Sequence, residues 1–253
     1  VNLPNKEFIE ENNILILLVF FAGKSVPLEN ELLRIKKETN VLIINELGDE
    51  PQTLIKNDVR AEISDLILTP DHRCNLYWKN QGYNSVWFNH WADTNIFYEI
   101  PNLTKNKFLI STMGRRKYNL FLKIFLGNQF TNMKCSPEKN AAFYSSGKIV
   151  FQYARWNEIT RRIFEAAACN CCVLTNKLPS HTMIETLFVH NVSIIYYEGP
   201  FSLLKQLVRL KLKPNLSKQI AKNACNLVLN NHTQLKRAET LIDIVNDMLI
   251  KKR

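Results

Sequence analysis

Glu165 stands inside an otherwise apolar stretch, Phe164-Glu165-Ala166-Ala167-Ala168-Cys169, whose small side chains suit a helix packed closely on a sheet. A carboxylate in such surroundings needs partners. Arg161 and Arg162, four and three positions earlier, are within helical reach and offer a local ion pair. A ribose diol is the alternative, because an ionised carboxylate accepts a hydrogen bond from each of two neighbouring hydroxyls. The segment Ser111-Thr112-Met113-Gly114-Arg115-Arg116-Lys117 is a second place where chemistry can be read. A strand is expected to end there, glycine permits a tight turn, and two arginines enter a helix whose first-turn amides attract anions such as a diphosphate. A basic helix start on a solvated surface accounts for the same residues equally well.

Cys169, Cys171 and Cys172 crowd the region after Glu165. They span a helix end and a strand start, so Cys171 and Cys172 face opposite sides of a sheet, and no C-x-x-C pair supplies the rest of a zinc site. They read as small buried groups, as do Cys74, Cys135 and Cys225. His72, His90, His181, His190 and His232 lie far apart without metal-ligand spacing. No P-loop, G-x-G-x-x-G turn or G-x-S-x-G elbow occurs, so the sequence calls for no metal and no cofactor.

The elements that must hold these residues follow from alternating periods. Short runs rich in Val, Ile and Phe predict strands over 14–21, 41–45, 65–69, 85–89, 108–112, 130–134, 149–153, 171–175 and 193–197. Helical spacing predicts helices over 29–37, 73–81, 117–126, 137–144, 159–168, 181–188 and 201–212. Two more follow at 215–229 and 232–250, the last capped by Thr233. Such alternation builds parallel sheets flanked by helices, with ligands at the C-terminal ends of the strands. Both chemically capable segments fall at such ends.

The chain has 253 residues and is 46% apolar, as a globular core requires. Its longest apolar run, Ile14 to Ala22, has nine residues, against the roughly 20 of a membrane-crossing helix. Scattered cysteines and the absence of a signal-like start predict a cytoplasmic protein. The net charge is +10, and from Phe201 onward eleven Lys or Arg face three acidic residues. Solvated helix faces explain this excess, as does an anionic partner such as a nucleotide, a nucleic acid or an acidic membrane surface.

Four segments in order resemble the C-terminal donor-binding domain of GT-B glycosyltransferases, group 1 and family 4-like, of the CgeB spore-maturation type. Arg162 to Cys169 is similar to that family's R-x-F-E-A-x-A-C-G, and Phe188 to Tyr197 to its following strand. His232-Thr233 with Arg237 resembles "HT...R", and Asp93 with Phe97 resembles the "D...F" that closes the N-terminal domain. The resemblance implies an α/β, GT-B-like fold of two Rossmann-like domains facing a cleft. The expected division is 1–98 for a partial, truncated acceptor-side domain, 99–107 for a polar linker, 108–231 for a nucleotide-sugar-binding domain and 232–253 for a helix crossing back. Leu241, Ile242 and Val245 would be buried by that helix. Glu165 would bind the ribose of a nucleoside diphosphate sugar, and Arg162 or the Gly114, Arg115 and Arg116 turn its diphosphate. Asn157 stands where many members carry the first Glu of an E-x7-E pair, and Asn170 replaces a glycine while tolerating left-handed backbone.

The resemblance therefore implies sugar transfer to an unidentified glycan, lipid or protein acceptor, with basic residues rather than a metal stabilising the departing diphosphate. Asp49 and His72 are acceptor-side candidates for a base, against the reading of both as solvated loop residues. Two other readings stand beside it. Asn157 and the short N-terminal half suit a non-catalytic nucleotide- or glycan-binding module. A specific nucleic-acid binder fits the charge but lacks an exposed aromatic stacking set. The basic C-terminal helices would bring a cytoplasmic protein of this kind to the membrane periphery.

Overall fold

Runs of Val, Ile and Leu bounded by turn residues become parallel strands covered on both faces, which is why they read as continuous apolar stretches. In the computed structural model, residues 3–22, 25–48, 50, 52–113, 118–133 and 136–251 are described. The chain forms two α/β units, 1–89 and 90–253.

In the first unit the order is α1 (Lys6–Glu11), β1 (Ile16–Ala22), α2 (Val26–Glu38), β2 (Leu42–Gly48), α3 (Asp58–Ile63), β3 (Leu66–Thr69), α4 (His72–Asn80) and β4 (Ser85–Trp87). The four strands pair in sequence order, all parallel. Leu28, Leu32 and Ile35 fall on one face of α2 and pack on Val19 and Ile43. Trp78 of α4 fills the other core with Leu47, Ala61 and Ile67. Helices α1 and α3 lie in stretches where no helix is expected, because six residues are too few to show a period. α1 is started instead by Asn5, whose Oδ1 accepts from Phe8 N at 2.9 Å.

The second unit runs β5 (Lys107–Ser111), α5 (Asn119–Leu126), β6 (Phe130–Asn132), α6 (Pro137–Ser145), β7 (Gly147–Gln152), α7 (Arg161–Ala168), β8 (Cys172–Asn176), α8 (Ile184–Leu187), β9 (Ile195–Tyr197), α9 (Gly199–Leu212), α10 (Pro214–Asn231) and α11 (Gln234–Lys251). Its parallel sheet has the order β6-β5-β7-β8-β9. The connections leave β5 in one direction and continue past β7 in the other. The exits of β5 and β7 therefore flank a topological switch point, where open α/β sheets hold their ligands.

All nine strands occur where the periods predict them. The helix expected over 181–188 is instead a 3₁₀ turn, Ser180–Thr182, and the short α8, separated by Met183 in the left-handed region at φ 58°. α7 starts at Arg161 rather than 159, and α11 at Gln234 after Thr233, whose Oγ1 accepts from Lys236 N at 3.2 Å as a cap. Ile242, expected to be buried on α11, is 59% exposed. No helix among the described residues is long and apolar enough to cross a membrane.

One glycine is fixed by packing. A Cβ on Gly147, at the start of β7, would lie 2.4 Å from Cδ1 and 2.6 Å from Cγ1 of the fully buried Ile110 on β5. Gly147→Ala is expected to cost about 1–3 kcal/mol in urea unfolding, the usual penalty of an overfilled core. In an Ile110→Ala background the same substitution should cost less than half as much. An equal cost in both backgrounds would locate the penalty elsewhere.

Candidate functional site

The loop leaving β7 is tied down on every side. Gln152 Nε2 donates to Thr160 Oγ1, closing the loop on the residue before α7. Ala154 N donates to Asn176 Oδ1 at 2.7 Å, and Asn176 Nδ2 returns to Ala154 O at 3.4 Å, so the exits of β7 and β8 are joined. Tyr153 N reaches Met113 Sδ at 3.0 Å, linking the exit of β5. Asn157 is exposed within this loop at φ 53°, a backbone region that asparagine enters more readily than most residues.

Past the loop, α7 buries Ile163, Phe164, Ala166, Ala167 and Ala168. Glu165 is carried inward with them and is only partly exposed. Burial raises its pKa, while Arg162 and, less strongly, Arg161 act to lower it. The expected local ion pair does not form, since no salt bridge among the described residues includes Glu165. Arg161 turns away and lays its guanidinium over the Trp91 ring, 4.7 Å from the centroid. Arg162 is exposed. The carboxylate thus keeps its acceptor capacity beside a positive charge.

Tyr144 of α6 completes the surroundings. Its hydroxyl and Thr112 Oγ1, at the exit of β5, are 2.8 Å apart. Burial raises the pKa of Tyr144, and the negative charge of Glu165 is the next cause. Thr112, Tyr144, Arg162 and Glu165 therefore belong to one constellation at the switch point. It offers a desolvated carboxylate and a nearby guanidinium, a pair suited to a ligand with adjacent hydroxyls and an anionic group.

The motif residues His232, Thr233 and Arg237 do different work. Ala92 N donates to His232 O at 3.0 Å and Gln234 N to Ala92 O at 3.1 Å. Thr94 adds two bonds to Gln234 Oε1, at 2.9 and 3.0 Å. These bonds anchor the start of α11 to residues 92–94. Burial, then Arg237, pushes His232 down to about 4. Burial, then Arg161 and Arg237, pushes His90 down to about 3. Both imidazoles are neutral at ordinary pH, and the His232 ring packs on Phe164 with centroids 5.4 Å apart.

Cys74, Cys169, Cys171 and Cys172 are buried packing groups, Cys225 is half-buried, and Cys135 lies outside the described residues. Cys171 Sγ donates to Tyr144 O at 2.9 Å, and burial pushes its pKa up to about 11. Cys172 is pushed up to about 12 in the sheet core. Asn170 takes the left-handed turn expected of it, at φ 54°.

Of the expected site residues, Asp49, Gly114, Arg115 and Arg116 lie outside the described residues. His72 is in the first unit, at the start of α4, with its ring edge-on to Trp87 at 5.3 Å. Sequence reasoning missed Glu50 in the same unit. Only 2% exposed, Glu50 accepts from Asn57 Nδ2 at 3.2 Å, Thr69 Oγ1 at 2.5 Å and Trp78 Nε1 at 3.0 Å. Burial nevertheless pushes it up to about 7. A Glu in a polar loop after an apolar strand gives no sequence signal that separates it from Asp49 beside it.

Residues 101–243 match the glycosyl transferase-like family. No curated protein matches the chain. Among solved structures, sucrose-phosphate synthase from Thermosynechococcus elongatus superposes with a TM-score of 0.69 at 10% identity, over 97% of this chain and 76% of that one. A glycosyltransferase from Rickettsia africae gives 0.65 at 14% identity, over 96% and 79%. Anabaena HepE, solved in complex with UDP-glucose, gives 0.65 at 11% identity, over 90% and 78%. These likenesses show a GT-B-like fold.

Glu50 supplies a test in the first unit. Its folded pKa of about 7 lies above the ordinary 4.5, so the folded state binds the proton more tightly. Stability from this group is present below pH 4.5 and is lost as pH rises to about 7, by at most about 3 kcal/mol. Urea unfolding followed by tryptophan fluorescence should show that fall, and Glu50→Gln should flatten it. An unchanged slope in the variant would assign the pH dependence to other groups.

Proposed function

The chain belongs to the glycosyl transferase-like family, and on that premise we propose that it transfers a sugar from a nucleoside diphosphate sugar, with Glu165 binding the ribose of the donor. The observation that carries this reading is the Glu165 carboxylate, partly buried at the switch point and engaged in no salt bridge among the described residues. A ribose diol would offer it two donors and offset its desolvation. Arg162, together with the turn at Gly114, Arg115 and Arg116, would hold the diphosphate. In the transfer, the acceptor hydroxyl oxygen bonds to the anomeric carbon and its proton passes to the departing phosphate oxygen or to solvent, as the bond from that carbon to the phosphate oxygen breaks. The nucleoside diphosphate leaves with the electron pair, and nearby positive charge stabilises it. The UDP-glucose bound by HepE supports a donor of this class.

The reading is tested by calorimetry with UDP, GDP and TDP. One of the three should bind, and Glu165→Ala and Arg162→Ala should each weaken it at least tenfold, about 1.4 kcal/mol. Binding should also decline on acidification, at a higher pH than for an ordinary carboxylate, because burial raises the pKa of Glu165. Equal nucleotide affinity in parent and Glu165→Ala would defeat the ribose assignment. Binding without turnover of a nucleotide-sugar panel would favour a non-catalytic module, which the uncharged and exposed Asn157 also suits.

A further inference from the structure

A cleft of about 550 Å³ opens in the second unit, lined by Lys105, Lys148, Asn170, Lys218, Lys222 and Glu99 among others. It lies at the strand entries. Lys105 precedes β5, Lys148 is the second residue of β7, and Asn170 precedes β8. The six residues of β7 therefore separate it from the strand exits by about 20 Å. Its volume matches that of small-molecule sites, roughly 300–1,000 Å³.

The lining is strongly one-sided in charge. Four lysines, brought by three separate parts of the chain, face a single acid. That acid is engaged, since Glu99 Oε2 accepts from Asn170 Nδ2 at 2.9 Å. Among the described residues, Lys148, Lys218 and Lys222 enter no ion pair and are exposed. Lys105 is partly buried and spends two donors, on the Cys169 carbonyl at 3.1 Å and on Cys171 Sγ at 3.7 Å, leaving one. Pro214 and Ser217, also in the lining, belong to the first turn of the 18-residue α10, whose dipole adds further positive potential. An ammonium cluster that the fold holds against a single carboxylate is a receptor for an anion.

We infer that this cleft binds a phosphate group, with Lys148, Lys218 and Lys222 on its oxygens. Soluble sugar phosphates and the headgroups of glycerol-bearing phospholipids share this chemistry. The inference does not depend on the donor assignment at Glu165.

Glucose 6-phosphate is the soluble probe and vesicles of phosphatidylglycerol are the lipid probe, with uncharged glucose and net-neutral, zwitterionic phosphatidylcholine as their controls. Calorimetry on the full chain should show glucose 6-phosphate binding that Lys218→Ala/Lys222→Ala weakens at least tenfold and that rising salt weakens progressively. Flotation with phosphatidylglycerol vesicles that the lysine double variant abolishes, without binding of the soluble probe, would assign the same site to a lipid headgroup. Glu165→Ala should leave either interaction unchanged. The idea fails if neither probe binds, or if binding is undiminished in a double variant whose melting temperature matches that of the parent.

Discussion

Close packing of α7 on the second sheet determines where the reactive groups of this unit can be. Ile163, Phe164 and the run Ala166 to Ala168 are all buried, and alanine is small enough for the helix axis to approach the strands. A helix that close carries Glu165 to a depth where burial raises its pKa. The same seat lets Phe164 meet Phe188 and His232, with centroids 5.2 and 5.4 Å away, so α7 also fixes the loop before β9 and the approach to α11. Enlarging one of those alanines would move the carboxylate and both neighbours together.

The sheet order then divides the unit into two chemically different edges. Exits of β5, β7 and β8 are cross-linked through Met113, Ala154 and Asn176, and the Lys177–Glu198 ion pair joins the exits of β8 and β9. Arg162 and Glu165 enter no salt bridge among the described residues. The entry edge is bound differently, with Cys171 Sγ donating to Tyr144 O and Lys105 to Cys169 O, while most of its ammonium groups stay outward. Between them the core is apolar, from Leu109 and Ile149 to Leu174 and Ile195. An anion at one edge and a nucleotide at the other would therefore be insulated from each other by the strands.

Strand positions were legible because buried parallel strands leave a continuous apolar run bounded by polar turns, and both junctions flanking the switch point could be placed from that alone. The residues were legible where type and position agree, as for Glu165. Partner choice was not. Spacing offered Arg161 as an ion-pair partner, but the indole of Trp91, 70 positions away in sequence, takes the guanidinium instead. His232 and Arg237 look like polar site residues in sequence, yet the fold puts Arg237 at 8% exposure and gives His232 a neighbouring Phe164. α8 is shorter than its period suggests because Met183 takes a left-handed backbone, which no pattern of apolar residues announces.

The first unit shows the same principle with the opposite outcome for a carboxylate. Glu50 and Glu165 both follow from burial near the exits of parallel strands, and burial raises the pKa of each. Glu50, however, meets three donors from Asn57, Thr69 and Trp78. Those donors come from the residue before α3, the end of β3 and the last turn of α4, so one side chain joins three elements. Nearby, Arg60 is fully buried, with the negative charges of Glu29 and Glu46 opposing the effect of its desolvation. Buried ionisable groups with a full set of partners fix a scaffold, whereas one left without them retains affinity for something outside the protein. By that criterion Glu50 is architecture and Glu165 is the group proposed to bind the donor, although the sequence places each beside a strand end.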